Sequence, residues 1–339
     1  MGRAAGRGRG AGRFRSRRRP PRPLGAARLS QPGHVRPWVL AARLAVSVVA
    51  LWLVARFVDV AAVLSRLSAL SPAWVALGLA VSVLQVGVLA WRWRLTAARL
   101  GIDLPLRDAI GEYYLSILLN QLLPGGVAGD VSRAWRHARA TTTGPAVRAV
   151  ILERASAQVV MTLVAIVSVL VLPWAGGASR AAIAAAGVLL GGLALRALVR
   201  RPESDSVAGR LWSDARRAVL APDAIATQLA SALVVVVSYI GVFLIAARAV
   251  GIQTPLTSLL PLIAPVLMTM LVPVTIAGWG VREAAAAALW GLVGLTPEDG
   301  AAISVAYGLL VLVASAPGLI ILTRTLIAGR DRRERPPRA

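Results

Sequence analysis

The sequence predicts an all-α, polytopic integral membrane protein with about 6–8 transmembrane helices and two broken or re-entrant segments arranged in inverted repeats. Three observations predict it. Hydrophobic residues make up 57% of the 339-residue chain and charged residues 16%, with a mean hydropathy of +0.69; soluble domains carry about 25% charge. The apolar residues fall in long blocks that are nearly free of charge: Ala41–Val58, Trp74–Trp91, Ala155–Trp174, Ala181–Leu195, Ala224–Ala247 and Ala301–Thr323. Helical blocks of this kind bridge a bilayer core of about 30 Å. The arginines cluster between the blocks, as the flanks of membrane spans do.

The net charge is +23, and every basic residue is Arg. The first 36 residues hold 11 Arg and no acid. Residues 1–37 read as a disordered, Arg-rich cytoplasmic tail. The tail runs straight into a hydrophobic span and lacks interleaved aromatics, so its partner is anionic lipid and not nucleic acid. Its apolar run begins too late for a cleavable signal peptide. The chain has no Cys, which excludes disulfides, thiol catalysis and Cys metal sites. His34 and His137 are the only histidines; one sits in the tail and the other in a basic loop, which argues against a His-based metal centre. No cofactor is expected, and no nucleotide-binding motif is present to supply ATP drive.

The elements follow in order, oriented by the positive-inside rule. Span one runs outward from the Arg tail to about Val58. Asp59–Leu70 carries Val60, Val63, Leu64, Leu67 and Leu70 at helical spacing, which predicts a short helix on the outer surface. Ser71-Pro72 opens the second span, with Ser as cap and Pro in the first turn. That span returns inward to Arg92, Arg94, Arg99 and Arg107. The 106–148 region is basic at both ends, so both ends are cytoplasmic. Span three covers about Ile151–Pro173, span four returns to the Arg196–Arg217 segment, and span five goes out to Arg248. Thr296-Pro297-Glu298-Asp299 is a capped, acid-rich start for the last span, which ends inside at Arg324. The membrane domain is 38–325, and residues 326–339 form a basic cytoplasmic tail. A multi-pass protein of the bacterial cell membrane, with both termini cytoplasmic, is expected.

Two segments break the simple count. Leu106–Leu123 contains Asp108, Glu112 and Asn120 and runs into Pro124-Gly125-Gly126. Pro255–Trp279 is uncharged but interrupted by Pro255, Pro261, Pro265 and Pro273. Single crossings there would put basic loops on the wrong sides, which favours re-entrant or broken helices packed within protein. Eight full crossings, with Val281–Leu295 completing the second segment, is the rival topology.

The chain also resembles itself. Gly101-Ile102-x-x-Pro105-Leu106 recurs as Gly251-Ile252-x-x-Pro255-Leu256, offset by 150. Pro124, Gly129 and Arg133 recur as Pro273, Gly278 and Arg282, offset by 149. Repeat one covers about 73–173 and repeat two about 224–323. The charge rule runs the span before copy one inward and the span before copy two outward, the arrangement of inverted-repeat transporters.

Three constellations carry the candidate chemistry. In Asn120–Arg133, Pro124 ends a helix, while Gly125, Gly126 and Gly129 permit unusual backbone angles and close approach of a ligand. Asp130 and Arg133 stand one helical turn apart and can pair. Glu153-Arg154 places a carboxylate and a guanidinium in an apolar helix start, where both need partners. In Pro273–Glu283, Gly278, Trp279 and Gly280 precede Arg282 and Glu283, which follow 33 uncharged residues. A lone charge at that depth costs at least about 2.5 kcal/mol, offset by self-pairing or by a lipid phosphate that matches the planar Arg fork. Trp279 reads as an interfacial anchor.

N-Q-L-L-P-G-G-V-A-G-D-V-S-R, then E-R, then P-x4-G-W-G-V-R-E resembles the flippase-like domain family, also called the lysylphosphatidylglycerol synthase transmembrane domain family, over roughly residues 38–325. The resemblance implies a lipid-translocating membrane domain. It places Asn120, Pro124, Gly125, Gly129, Asp130, Arg133, Glu153, Arg154, Pro273, Gly278, Gly280, Arg282 and Glu283 as substrate-binding candidates. Bifunctional relatives carry a soluble aminoacyl-transferase domain after the membrane part, and this chain stops 16 residues after Thr323. A stand-alone, non-enzymatic translocator of an anionic or aminoacylated phospholipid, or of a lipid-linked precursor, is therefore expected. Its partners would be membrane lipid and a separate lipid-modifying enzyme. A membrane enzyme modifying a lipid headgroup, as in lysylphosphatidylglycerol synthesis, and a membrane anchor working through its Arg tails are the alternatives.

Overall fold

A computed structural model of the chain describes residues 2, 37–123, 128–140, 143–171, 206–271 and 275–334. Among these the protein is helical. Four helices are long and apolar enough to cross a membrane, or five when one bent pair counts as a single span. The bent pair is α1 (Pro37–Phe57) and α2 (Val60–Ser68), which meet at 97° between Leu44–Phe57 and the second helix. Asp59 starts α2 by accepting from the Ala61 and Ala62 amides, which the helix itself leaves without partners. A short helix is what the spacing of Val60, Val63, Leu64 and Leu67 predicts here.

Two 28-residue helices pack along each other at the centre, α3 (Pro72–Arg99) and α8 (Pro222–Ala249). Each begins with Pro in its first turn, where the missing N–H has no intrahelical acceptor to lose. Each ends in the same corner. Gly101 and Gly251 adopt φ of +77° and +84°, open to Gly because it has no Cβ. The Ile102 amide donates to the Ala97 carbonyl and the Ile252 amide to that of Ala247, both at 3.0 Å. The Gly101 and Gly251 amides reach back to Ala98 and Arg248. These are paired Schellman closures, sealed by Ile102 and Ile252, both buried. Pro105 and Pro255 then open the following helices with matching backbone angles.

Those following helices are short. α4 (Leu106–Leu122) folds back onto α5 (Ala128–Ala140), and α6 (Thr143–Val171) leaves as a long span. After α7 (Val207–Ala218) and α8 comes α9 (Leu256–Met268), which carries Pro261 and Pro265 inside and ends in a 3-10 turn at Thr269–Leu271. Each internal Pro removes a ladder donor and crowds the preceding turn, which holds α9 to 13 residues. α10 (Val281–Trp290) has 10 residues. None of α4, α5, α9 or α10 is long enough to cross alone. Both segments that break the simple count therefore hold short helices.

The last expected span, Ala301–Thr323, is divided into α11 (Pro297–Ala314) and α12 (Pro317–Glu334). Pro317 cannot continue the ladder of α11 and starts a new helix. The capped start expected for α11 is present as a reciprocal capping box: Thr296 Oγ1 accepts from the Asp299 amide, and Asp299 Oδ2 accepts from the Thr296 amide, each at 3.2 Å. The expected span Ala181–Leu195 and both Arg-rich tail ends, 1–36 and 335–339, lie outside the described residues apart from Gly2.

Candidate functional site

The first cluster sits where α4, α5 and α6 meet. Gly129 lets α5 lie against α4, because a Cβ there would collide with the Ser116 carbonyl. The Gly129 amide donates to Asn120 Oδ1 at 2.7 Å, which ties the start of α5 to the end of α4. That contact places Asp130 in the interior. Its carboxylate accepts from Ser116 Oγ at 3.3 Å, from Asn120 Nδ2 at 3.2 Å and from Arg133 Nη2 at 3.1 Å. Arg133 reaches further, to Glu153 of α6 at 3.3 Å, and Tyr113 Oη donates to the same Glu153 oxygen at 2.5 Å. Arg154 Nε lies 3.4 Å from Asp130 Oδ2. Two carboxylates and two guanidiniums thus interlock between α5 and α6, with side-chain exposure of 0% at Arg133, 1% at Glu153 and 45% at Arg154.

Aromatic rings complete the burial of Arg133. Its guanidinium carbon lies 4.0 Å from the Tyr113 ring centre and 4.6 Å from that of Trp93. Cation–π attraction and the two carboxylates together replace the hydration that burial removes. His137 is not in a loop but on α5, with its ring edge-on to Trp93 at 5.1 Å.

The second cluster lies at the start of α10. Gly280 has φ +89°, and its amide donates to Glu283 Oε2 at 2.7 Å. Glu283 Oε1 accepts from Arg282 Nη2 at 2.6 Å, from Arg282 Nε at 3.1 Å and from Ser304 Oγ of α11 at 2.9 Å. The self-pairing dyad expected from the sequence is therefore present, and each of its side chains is 1% exposed. The Arg282 guanidinium carbon lies 5.2 Å from the ring centres of both Trp279 and Tyr307. Trp279 thus braces Arg282, where an interfacial anchor was expected. Gly308 makes room for this, since a Cβ there would stand 2.5 Å from Arg282 Nη2. Gly278, with φ +80°, packs on Met270.

Asn120, Gly129, Asp130, Arg133, Glu153 and Arg154 therefore form one group, and Gly278, Gly280, Arg282 and Glu283 a second. Pro124, Gly125 and Pro273 lie outside the described residues. Tyr239 of α8 stands between the groups. It packs against both apolar cores. Next to it, Ile240 opens onto an apolar cleft of about 370 Å³, walled by Leu163, Val167 and Val171 of α6 and by Pro261 of α9. Tyr113, Tyr307 and Trp93 give no local sequence signal, because each acts on a motif residue of another helix. Among the described residues, no group of acidic, His or Cys side chains could hold a metal ion.

A family model described as the lysylphosphatidylglycerol synthase TM region matches residues 40–318. The chain belongs to that family. This membrane-embedded, lipid-related family agrees with the apolar helices and makes the chain a multi-pass membrane protein whose environment is membrane lipid. The match spans both charge clusters and the helices that carry them. No curated protein matches the chain.

Proposed function

We propose that the chain translocates the headgroup of an anionic or aminoacylated phospholipid, or of a lipid-linked precursor, in a flippase-like manner and without catalysing a reaction. The observation that carries this reading is the Asp130–Arg133–Glu153–Arg154 network, with Arg154 half-exposed at its edge. Ionisable residues at membrane depth are costly and are kept for substrate or ion pathways. Arg154, though paired with Asp130, is the exposed member of the four, which makes it the group able to meet a headgroup.

Two units of opposite direction, hinged at the matched Gly101 and Gly251 corners, would expose such a site alternately to each leaflet. The cytoplasmic side would hold both termini of this bacterial membrane protein. Arg133 and Arg282 serve as fixed pins of the two bends, because both are sealed and already paired.

The test is headgroup exposure in vesicles reconstituted with purified protein. Fluorescent anionic phospholipid should cross faster with wild type than with empty vesicles. Arg154→Ala should slow crossing by about tenfold, the loss of one charge-assisted contact worth about 1.4 kcal/mol. Crossing unchanged by Arg154→Ala and by Asp130→Asn would refute the site, and a lipid product made by purified protein would refute transport without catalysis.

A further inference from the structure

We infer that Arg92 is an anion-binding residue, and that it tunes the translocation site to phosphate-bearing headgroups of net negative charge. The inference rests on the transport reading and narrows its substrate class.

Arg92 lies on α3 and is 0% exposed. Its Nη2 donates to Ser156 Oγ of α6 at 2.9 Å. Nε and Nη1 are buried with no hydrogen-bond partner, and among the described residues no carboxylate oxygen lies within ion-pair distance of this guanidinium. The contrast with the other sealed arginines is direct. Arg133 has Asp130 and Glu153, and Arg282 has Glu283. Gln85 lies seven residues earlier on the same face of α3, and its Nε2 is also buried without a partner. A buried charge lacking both counterion and hydrogen bonds is strongly unfavourable, and Arg offers donors only. The group that satisfies it is an acceptor-rich anion, which a phosphate supplies in the geometry that the planar fork matches.

Position joins Arg92 to the transport site. Ser156 Oγ donates to the Glu153 carbonyl at 3.0 Å and stands two residues from Arg154. Trp93, the next residue after Arg92, stacks on Arg133. The charges of Asp130 and Glu153 cancel those of Arg133 and Arg154, so Arg92 gives the whole cluster one net positive charge. A monoanionic phosphodiester neutralises that surplus, a headgroup of zero net charge leaves it in place, and a lysylated headgroup, with two ammonium groups against one phosphate, adds to it. Arg92 has no exposed surface in this state, so a headgroup meets it when α3 and α6 part along Ser156.

The test compares full-length protein in detergent, wild type and Arg92→Met, by thermal unfolding with added dioctanoyl phosphatidylglycerol, dioctanoyl phosphatidylcholine or inorganic phosphate. Wild type should be stabilised by the anionic lipid above the other two. Arg92→Met should unfold at a higher temperature than wild type without lipid, because the uncompensated charge is gone. It should bind the anionic lipid about tenfold more weakly or worse. Arg92→Gln, which keeps donors without the charge, takes its place if the Met variant does not fold. Equal stabilisation of wild type and variant by phosphatidylglycerol overturns the anion site. Stabilisation of wild type by inorganic phosphate equal to that by lipid overturns the headgroup assignment. Wild type that binds anionic lipid through Arg92 yet moves no lipid between leaflets would refute the transport reading alone.

Discussion

Arg154 pairs with Asp130, with Nε 3.4 Å from Oδ2, and not with its chain neighbour Glu153. Glu153 is taken by Arg133 and Tyr113. Two residues adjacent in sequence thus bind different partners on α5, and the bend between α4 and α5 is fastened to the long helix α6 by crossed ion pairs.

Removing one partner of this fastening exposes its energetic weight. Glu153→Gln keeps the shape but leaves Arg133 buried with Asp130 alone. A buried pair broken from one side costs about 3–5 kcal/mol. Thermal unfolding in detergent should show a midpoint several degrees lower than wild type. Tyr113→Phe, which deletes one hydrogen bond to Glu153, should cost about 1.5–3 kcal/mol, the range for bonds to charged groups.

Two glycine substitutions separate packing from helix propensity. Gly129→Ala would bring a Cβ within 2.6 Å of the Ser116 carbonyl carbon, and backbone cannot yield as a side chain can. The variant should lose stability and folded yield. Gly87→Ala in α3 meets nothing within 4 Å and should stabilise by about 0.5–1 kcal/mol through reduced chain entropy. Monodisperse yield on size exclusion and the unfolding midpoint read both outcomes.

The Arg282–Glu283 dyad should be strongly non-additive. Arg282→Met or Glu283→Met alone strands a charge that is 1% exposed, at about 3–5 kcal/mol each. The double variant removes both charges and should be far less destabilised than the sum, with a coupling of about 0.5–3 kcal/mol. Additive effects in a double-mutant cycle would mean that the pair does not exist in the folded protein.

Much of this architecture is legible in the residues themselves. Gly101 with Pro105, and Gly251 with Pro255, mark corners because a left-handed closure and a ladder-breaking ring leave few alternatives. Asp130–Arg133 and Arg282–Glu283 are near in sequence, so their pairing follows from helical spacing or adjacency. Cross-helix partners are not legible: Tyr113 meets Glu153, and Trp93 meets Arg133, only because the fold brings their helices together. Arg92 reads as one more flanking arginine until its burial without a counterion is seen. The break at Pro317 hides inside an apolar run, where hydropathy outweighs one ring in a sliding window. Trp279 reads as an interface marker because its stacking on Arg282 depends on Gly308, a residue 29 positions away.

Opposite orientation of the two matched corners is tested most directly by one-sided labelling. The chain has no Cys, so single cysteines can be placed on a silent background. Asp103 and Gln253 are exposed equivalents at the two corners, each two residues past the left-handed Gly. A membrane-impermeant maleimide applied outside intact cells should label Gln253→Cys and spare Asp103→Cys until the membrane is permeabilised. Labelling of both positions from outside intact cells, or of neither, would contradict the inverted arrangement.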